Sequence, residues 1–168
     1  MFPESCLTHA RLLLEACDAR QLRLVTAESC TAGLIAACLT ELAGSSRVVD
    51  RGYIVYDNRA KQEMLGVAAE TLAEHGAVSE RCAREMVQGA LRASGAGMAI
   101  AVTGVAGPGG GTPSKPVGLV HVAAGLGTGP VLHRRHQLDG DRSMVRLASV
   151  EAALSLAISL LDAAPPTA

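Results

Sequence analysis

The chain has 168 residues, 49% of them hydrophobic and 18% charged, with a formal net charge of −1. That length and apolar content fit one domain over 1–168, able to bury about 70% of the surface its unfolded form exposes. Fifteen basic residues against sixteen acidic ones give no broad cationic face for a phosphate backbone, and Phe2, Tyr53 and Tyr56 are too few rings for a base-stacking platform, so nucleic acid is not an expected partner.

Leu7, Ala10, Leu13, Leu14 and Cys17 recur at helical spacing and predict a first helix over 4–19. Leu22 to Ala27 reads as a strand, and from Thr31 the small apolar residues Leu34 to Leu39 predict a helix ending near Ala43-Gly44. Val48, Val49, Ile54 and Val55 place a strand over 47–56, followed by a short helix over 58–65 capped by Asp57 or Asn58. Further helices are expected over 68–75 and over 79–93, the second capped by Ser79. Met98 to Thr103 is a continuous apolar run, the pattern of a strand buried on both faces. Two strands over 117–124 and 131–138, joined by Gly125-Leu-Gly-Thr-Gly129, read as an antiparallel pair before a last helix over 141–161. Helices alternating with strands imply an α/β fold, a three-layer α/β/α sandwich around a mixed, mainly parallel sheet of about five strands.

Five cysteines, an odd number without a C-x-x-C pair, read as reduced and mostly buried small hydrophobes. Glu4, His9, Arg11 and Glu15 interrupt any N-terminal signal core, and no apolar run of membrane-spanning length is free of charge. The expectation is a soluble cytoplasmic protein with no membrane partner. His133 and His136 stand three apart on a strand and so face opposite sides, which argues against a metal site.

Ser29, in Thr26-Ala-Glu-Ser-Cys-Thr-Ala-Gly33, falls at a strand-to-helix junction. It fits two roles there, an N-cap or a nucleophile beside the free N–H groups of a helix start. Tyr56 and Lys61 add a phenol and a possible base. Their spacing of five would set them roughly 140° apart on a regular helix, unlike the four-residue spacing of tyrosine–lysine dehydrogenases. The segment Thr103 to Gly118 is a glycine- and proline-rich loop, either a ligand cradle or a passive surface loop. It is not a P-loop, because Lys115 follows Ser114 and precedes Pro116, nor a dinucleotide fingerprint, because Thr112 stands where the third glycine would be. Ala32, three residues after Ser29, excludes a β-lactamase arrangement. Arg142 is either an exposed first-turn charge or a bidentate phosphate contact.

Taken in order, Thr26 to Gly33, Ala43-Gly-Ser-Ser46, Arg51-Gly-Tyr53 with Tyr56 and Lys61, His75 to Glu80, Thr103 to Gly118 and Gly140-Asp-Arg142 resemble the CinA carboxy-terminal domain family. The resemblance covers nearly the whole chain. It implies a stand-alone member that hydrolyses the carboxamide of nicotinamide mononucleotide to nicotinic acid mononucleotide and ammonia, without cofactor or metal, and forms a homo-oligomer. Ser29 would be the nucleophile, with Lys61 and Tyr56 as partners. Glu28, Cys30, Thr31, Gly33, Thr103, Gly104, Gly107, Gly109, Gly110 and Arg142 would bind substrate. Helix-start N–H groups would hold the oxyanion, and Lys61 must lose its proton through desolvation to serve as base. A non-catalytic nucleotide-binding module is the alternative. Position 32 departs from the family, which commonly has glycine there.

Overall fold

The computed structural model describes residues 1–127 and 129–164, so Thr128 of the 125–129 connection lies outside the described residues. Five strands, β1 (Leu24–Glu28), β2 (Val49–Ile54), β3 (Met98–Gly104), β4 (Leu119–Leu126) and β5 (Val131–Gln137), form one open sheet in the order β2-β1-β3-β4-β5. β1 runs parallel to both β2 and β3, whereas β4 pairs antiparallel with β3 and with β5. Only β4 opposes the other four, which makes the sheet mixed and mainly parallel.

Helices α1 (Glu4–Ala19), α2 (Leu34–Thr40) and α6 (Arg142–Ala163) cover one face; α3 (Asn58–Leu65), α4 (Ala69–Glu74) and α5 (Glu80–Ser94) cover the other. Strand alternation explains the division. Leu24, Met98, Ile100, Val102, Val120 and Val122 point at α1, α2 and α6, while Ala27, Ala99, Ala101 and Ala123 face α5. Small side chains on that second face let α5 sit close to the sheet. α3 is held to α5 by equally close approach, since a Cβ on Gly89 would stand 2.0 Å from the Leu65 carbonyl oxygen. That contact fixes the height of α3, and with it Lys61.

α6 is 22 residues long and apolar enough to cross a membrane by length and composition alone. Its buried residues, among them Val145, Val150, Leu154 and Leu161, join the core shared with α1 and the sheet, so here it is a core helix. All five cysteines are free and buried. α2 begins at Leu34, later than its composition suggests, because Ala32 (φ 50°) and Gly33 (φ 97°) are left-handed and cannot extend a helix toward Ser29.

Candidate active site

The strand ends meet at one rim of the sheet, where parallel neighbours β1 and β3 deliver Ser29 and Thr103 side by side. Ser29 directly follows β1, and its N–H donates to Val102 O on β3 at 3.0 Å. Between Ser29 and α2 the chain makes a tight turn closed by the Ala32 N–H on Ser29 O at 3.1 Å. The turn is held from below by Glu28. This side chain is 1% exposed, and its two oxygens accept from the N–H groups of Gly33, Ile35 and Ala36 and from the Thr26 hydroxyl. A buried carboxylate so satisfied caps α2 and favours the positive end of the helix dipole.

Two expectations change as a result. Ser29 is not the N-cap of α2; Gly33 occupies that position and the capping oxygens belong to Glu28. The helix-start N–H groups are already spent and cannot serve as oxyanion donors. The free donors lie earlier, in the turn itself. The Thr31 N–H has no acceptor among the described residues but is buried behind the turn, whereas the Cys30 N–H, beside its own thiol, belongs to a residue that lines the cleft.

Lys61 sits in the middle of α3, a helix started by Asp57, whose side chain accepts from the Arg59 N–H. The side chain is 1% exposed and runs inward beneath the end of β2. Its Nζ lies 3.0 Å from Ser29 Oγ, 2.8 Å from Val55 O and 3.2 Å from Tyr56 O. No carboxylate lies within ion-pairing distance of it among the described residues. Burial lowers its pKa from the ordinary 10.5, against weaker pulls from Cys82, Asp57 and Cys30. Burial also pushes the Cys30 and Cys82 thiols up to about 11, so neither supplies a negative charge near neutral pH. A neutral Lys61 donates its two protons to the Val55 and Tyr56 carbonyls and turns its lone pair to the Ser29 hydroxyl. The same three contacts fit both protonation states, with the Ser29 bond reversing direction.

Tyr56 lies outside α3, one residue before its cap, so helical spacing from Lys61 does not apply to it. Its ring is 59% exposed, and its phenol oxygen accepts from Arg142 Nη2 at 3.2 Å and touches neither Ser29 nor Lys61. A second Arg142 nitrogen donates to Gly107 O at 2.8 Å, so one guanidinium ties the start of α6 to the glycine loop and to the end of β2. Ser29, Cys30, Tyr56, Asn58, Lys61, Ala77, Val78, Thr103, Gly104, Ala106 and Arg142 enclose a cleft of about 200 Å³. A wider cavity of about 450 Å³ adjoins it through Ala106 and Arg142 and is lined by Gly107, Pro108, Gly140 and Ser143 among others.

Of the substrate contacts expected from sequence, Cys30, Thr103, Gly104 and Arg142 line the cleft, with Gly107 in the adjoining cavity. Glu28, Thr31 and Gly33 lie behind the turn, and Gly109 and Gly110 are on the exposed outer part of the loop, lining neither cavity. The Thr103 hydroxyl is itself engaged, donating to Ala77 O at 2.8 Å. Asn58 at the start of α3, and Ala77 and Val78 in the turn before α5, were not among the expected site residues, because both segments reach this rim only through the tertiary fold. On β5, His133 and His136 do face opposite sides: His133 stacks on His121 and approaches Glu80, and burial pushes His121 down to about 4.

A family model of the CinA C-terminal domain matches residues 7–161. The chain belongs to the CinA C-terminal domain family. It is 55% identical over 133 residues to a CinA-like protein of Mycolicibacterium gilvum, covering 79% of this chain and 32% of that protein. It is 48% identical over 132 residues to the Escherichia coli K12 nicotinamide-nucleotide amidohydrolase PncC, covering 79% of this chain and 80% of that enzyme. The chain therefore spans about a third of the CinA-like relative and most of the shorter one. Among solved structures of the family, the competence/damage-inducible protein CihA of Agrobacterium tumefaciens superposes with a TM-score of 0.93 at 51% identity, over 95% of this chain and 98% of that one.

Proposed function

We propose that this chain is a nicotinamide-nucleotide amidohydrolase that converts nicotinamide mononucleotide to nicotinic acid mononucleotide and ammonia through an acyl-serine intermediate. The observation that carries the reading is a buried lysine amine without a carboxylate partner, 3.0 Å from the hydroxyl of a serine that lines a cleft. A structural lysine would be paired or exposed; one buried against a hydroxyl, with its pKa lowered by desolvation, is suited to general-base work.

Ser29 Oγ attacks the carboxamide carbon while its proton passes directly to Lys61 Nζ, with no relay through Tyr56. The tetrahedral oxyanion is received by the Cys30 N–H, the donor of the serine turn whose residue lines the cleft. Collapse breaks the C–N bond, and the Lys61 ammonium returns the proton to the departing nitrogen, releasing ammonia. Lys61 then takes a proton from water, which attacks the ester carbonyl; the acid leaves and Ser29 recovers its proton. The ring end of the substrate occupies the cleft, and the ribose phosphate extends past Ala106 and Arg142 into the wider cavity, where Arg142 gives a bidentate contact. Tyr56 closes the outer side through its bond to Arg142. A helical layer on each sheet face accords with a soluble enzyme, five free and buried cysteines accord with a reducing cytoplasm, and the resemblance supports a homo-oligomer.

Ammonia release from nicotinamide mononucleotide, measured for the unaltered protein and for Ser29→Ala, tests the reading. Turnover should be abolished in the variant. Undiminished turnover by Ser29→Ala, or binding without ammonia release by the unaltered chain, would reject it.

A further inference from the structure

Arg146 is half-buried on α6, one turn after Arg142, and has no carboxylate within ion-pairing distance among the described residues. Its guanidinium is spent on two consecutive carbonyls of the serine turn. Nε donates to Cys30 O at 3.1 Å and Nη2 to Thr31 O at 2.9 Å. It does not line the cleft.

We propose that Arg146 is a positioning residue for the oxyanion site, a role that rests on the acyl-serine reading above. A trans peptide is planar, so its carbonyl and N–H point in opposite directions. Holding Cys30 O therefore fixes the Cys30–Thr31 peptide, which directly follows the Cys30 N–H at the cleft. Holding Thr31 O fixes the next peptide, whose N–H, that of Ala32, closes the turn on Ser29 O, the carbonyl of the Ser29–Cys30 peptide that carries the Cys30 N–H. The two guanidinium contacts thus lock the two peptide planes that follow the Cys30 N–H and, through the Ala32 N–H, the plane that carries it.

The turn needs this outside support. Ala32 is non-glycine at φ 50°, and Glu28 supports Gly33 and the α2 residues beyond it but not Cys30 or Thr31. Lysine cannot replace the fork, because one ammonium on a flexible stem has no planar pair of donors matched to two neighbouring carbonyls.

The test compares Arg146→Ala, Arg146→Lys and Ser29→Ala in steady-state ammonia release from nicotinamide mononucleotide, with thermal unfolding of each. Loss of one oxyanion donor costs roughly 10²–10³-fold in kcat, so a misaimed donor should lower kcat about 10²-fold in Arg146→Ala. KM should stay within about threefold, because this turn meets the reacting carbonyl and not the nucleotide. Arg146→Lys should recover little, whereas added ethylguanidinium should restore part of kcat to Arg146→Ala and none to Ser29→Ala. A folded Arg146→Ala with unchanged kcat overturns the positioning role while an inactive Ser29→Ala leaves the acyl-serine reading standing. Equal losses in kcat/KM and melting temperature without guanidinium rescue also overturn it, as the signature of a purely structural arginine. Full activity in Ser29→Ala would remove both.

Discussion

Ser29 and Lys61 touch at 3.0 Å, and a pair in contact that performs one proton transfer should not lose activity additively. General-base assistance is worth roughly 10²–10⁴ in rate, about 3–5 kcal/mol, so Lys61→Met should lower kcat by that factor. Ser29→Ala removes the nucleophile and should cost about 10⁴ or more. Once the hydroxyl is absent, the lysine has no proton to accept. The double variant should therefore match Ser29→Ala, giving a coupling energy equal in size to the single Lys61 effect. Folding is not the limit: Lys61→Met forfeits hydrogen bonds to the Val55 and Tyr56 carbonyls, each worth about 1 kcal/mol, but also removes an amine whose burial disfavours its charge. Its melting temperature should stay within a few degrees of the parent or exceed it. The assay is single-turnover ammonia release from nicotinamide mononucleotide with thermal unfolding alongside. A double variant slower than Ser29→Ala by the full Lys61 factor would show that the two residues act independently and would refute the dyad.

Because Lys61 must be neutral to accept a proton, kcat/KM should rise with pH through a lysine pKa below 10.5, and Lys61→Met should lose that limb. The same shift makes the unfolded chain bind more protons than the native one between the lowered value and 10.5, so stability should rise with pH across that window in the parent and less steeply in Lys61→Met, as followed by urea unfolding. Glu28→Gln turns two donors onto backbone N–H groups where carboxylate lone pairs now sit; a loss of about 3 kcal/mol or more is expected in urea unfolding, and parental stability would contradict the capping role. Ala32→Gly relieves a left-handed residue costing about 1–2 kcal/mol against roughly 0.5–1 kcal/mol of added chain entropy, so the melting temperature should rise by about 1–3 °C without loss of kcat; a fall would show that Ala32 is unstrained.

Local patterns in the sequence determined most of the elements, because each rests on neighbours in the chain. The helical spacing of Leu7 to Cys17 gives α1, Asp57 starts α3, Ser79 starts α5, and the unbroken apolar run from Met98 gives a strand covered on both faces. The ordered motifs also pointed to Ser29 and Lys61 together. What sequence could not supply was any relation that depends on which groups meet across the fold. Glu28 and Ser29 are adjacent and alternate across the strand end, so one turns inward to cap α2 and the other faces the cleft; spacing alone left both open as site residues. Only tertiary structure turned the Tyr56 phenol toward Arg142, moved the free donors from the helix start to the turn, and brought Arg146 from α6 onto Cys30 and Thr31. The packing of α3 against Gly89 set the last distance, carrying a lysine 32 positions away in sequence to the serine hydroxyl. Hydrogen bonds and desolvation act over a few ångströms of space, and separation along the chain does not report that distance.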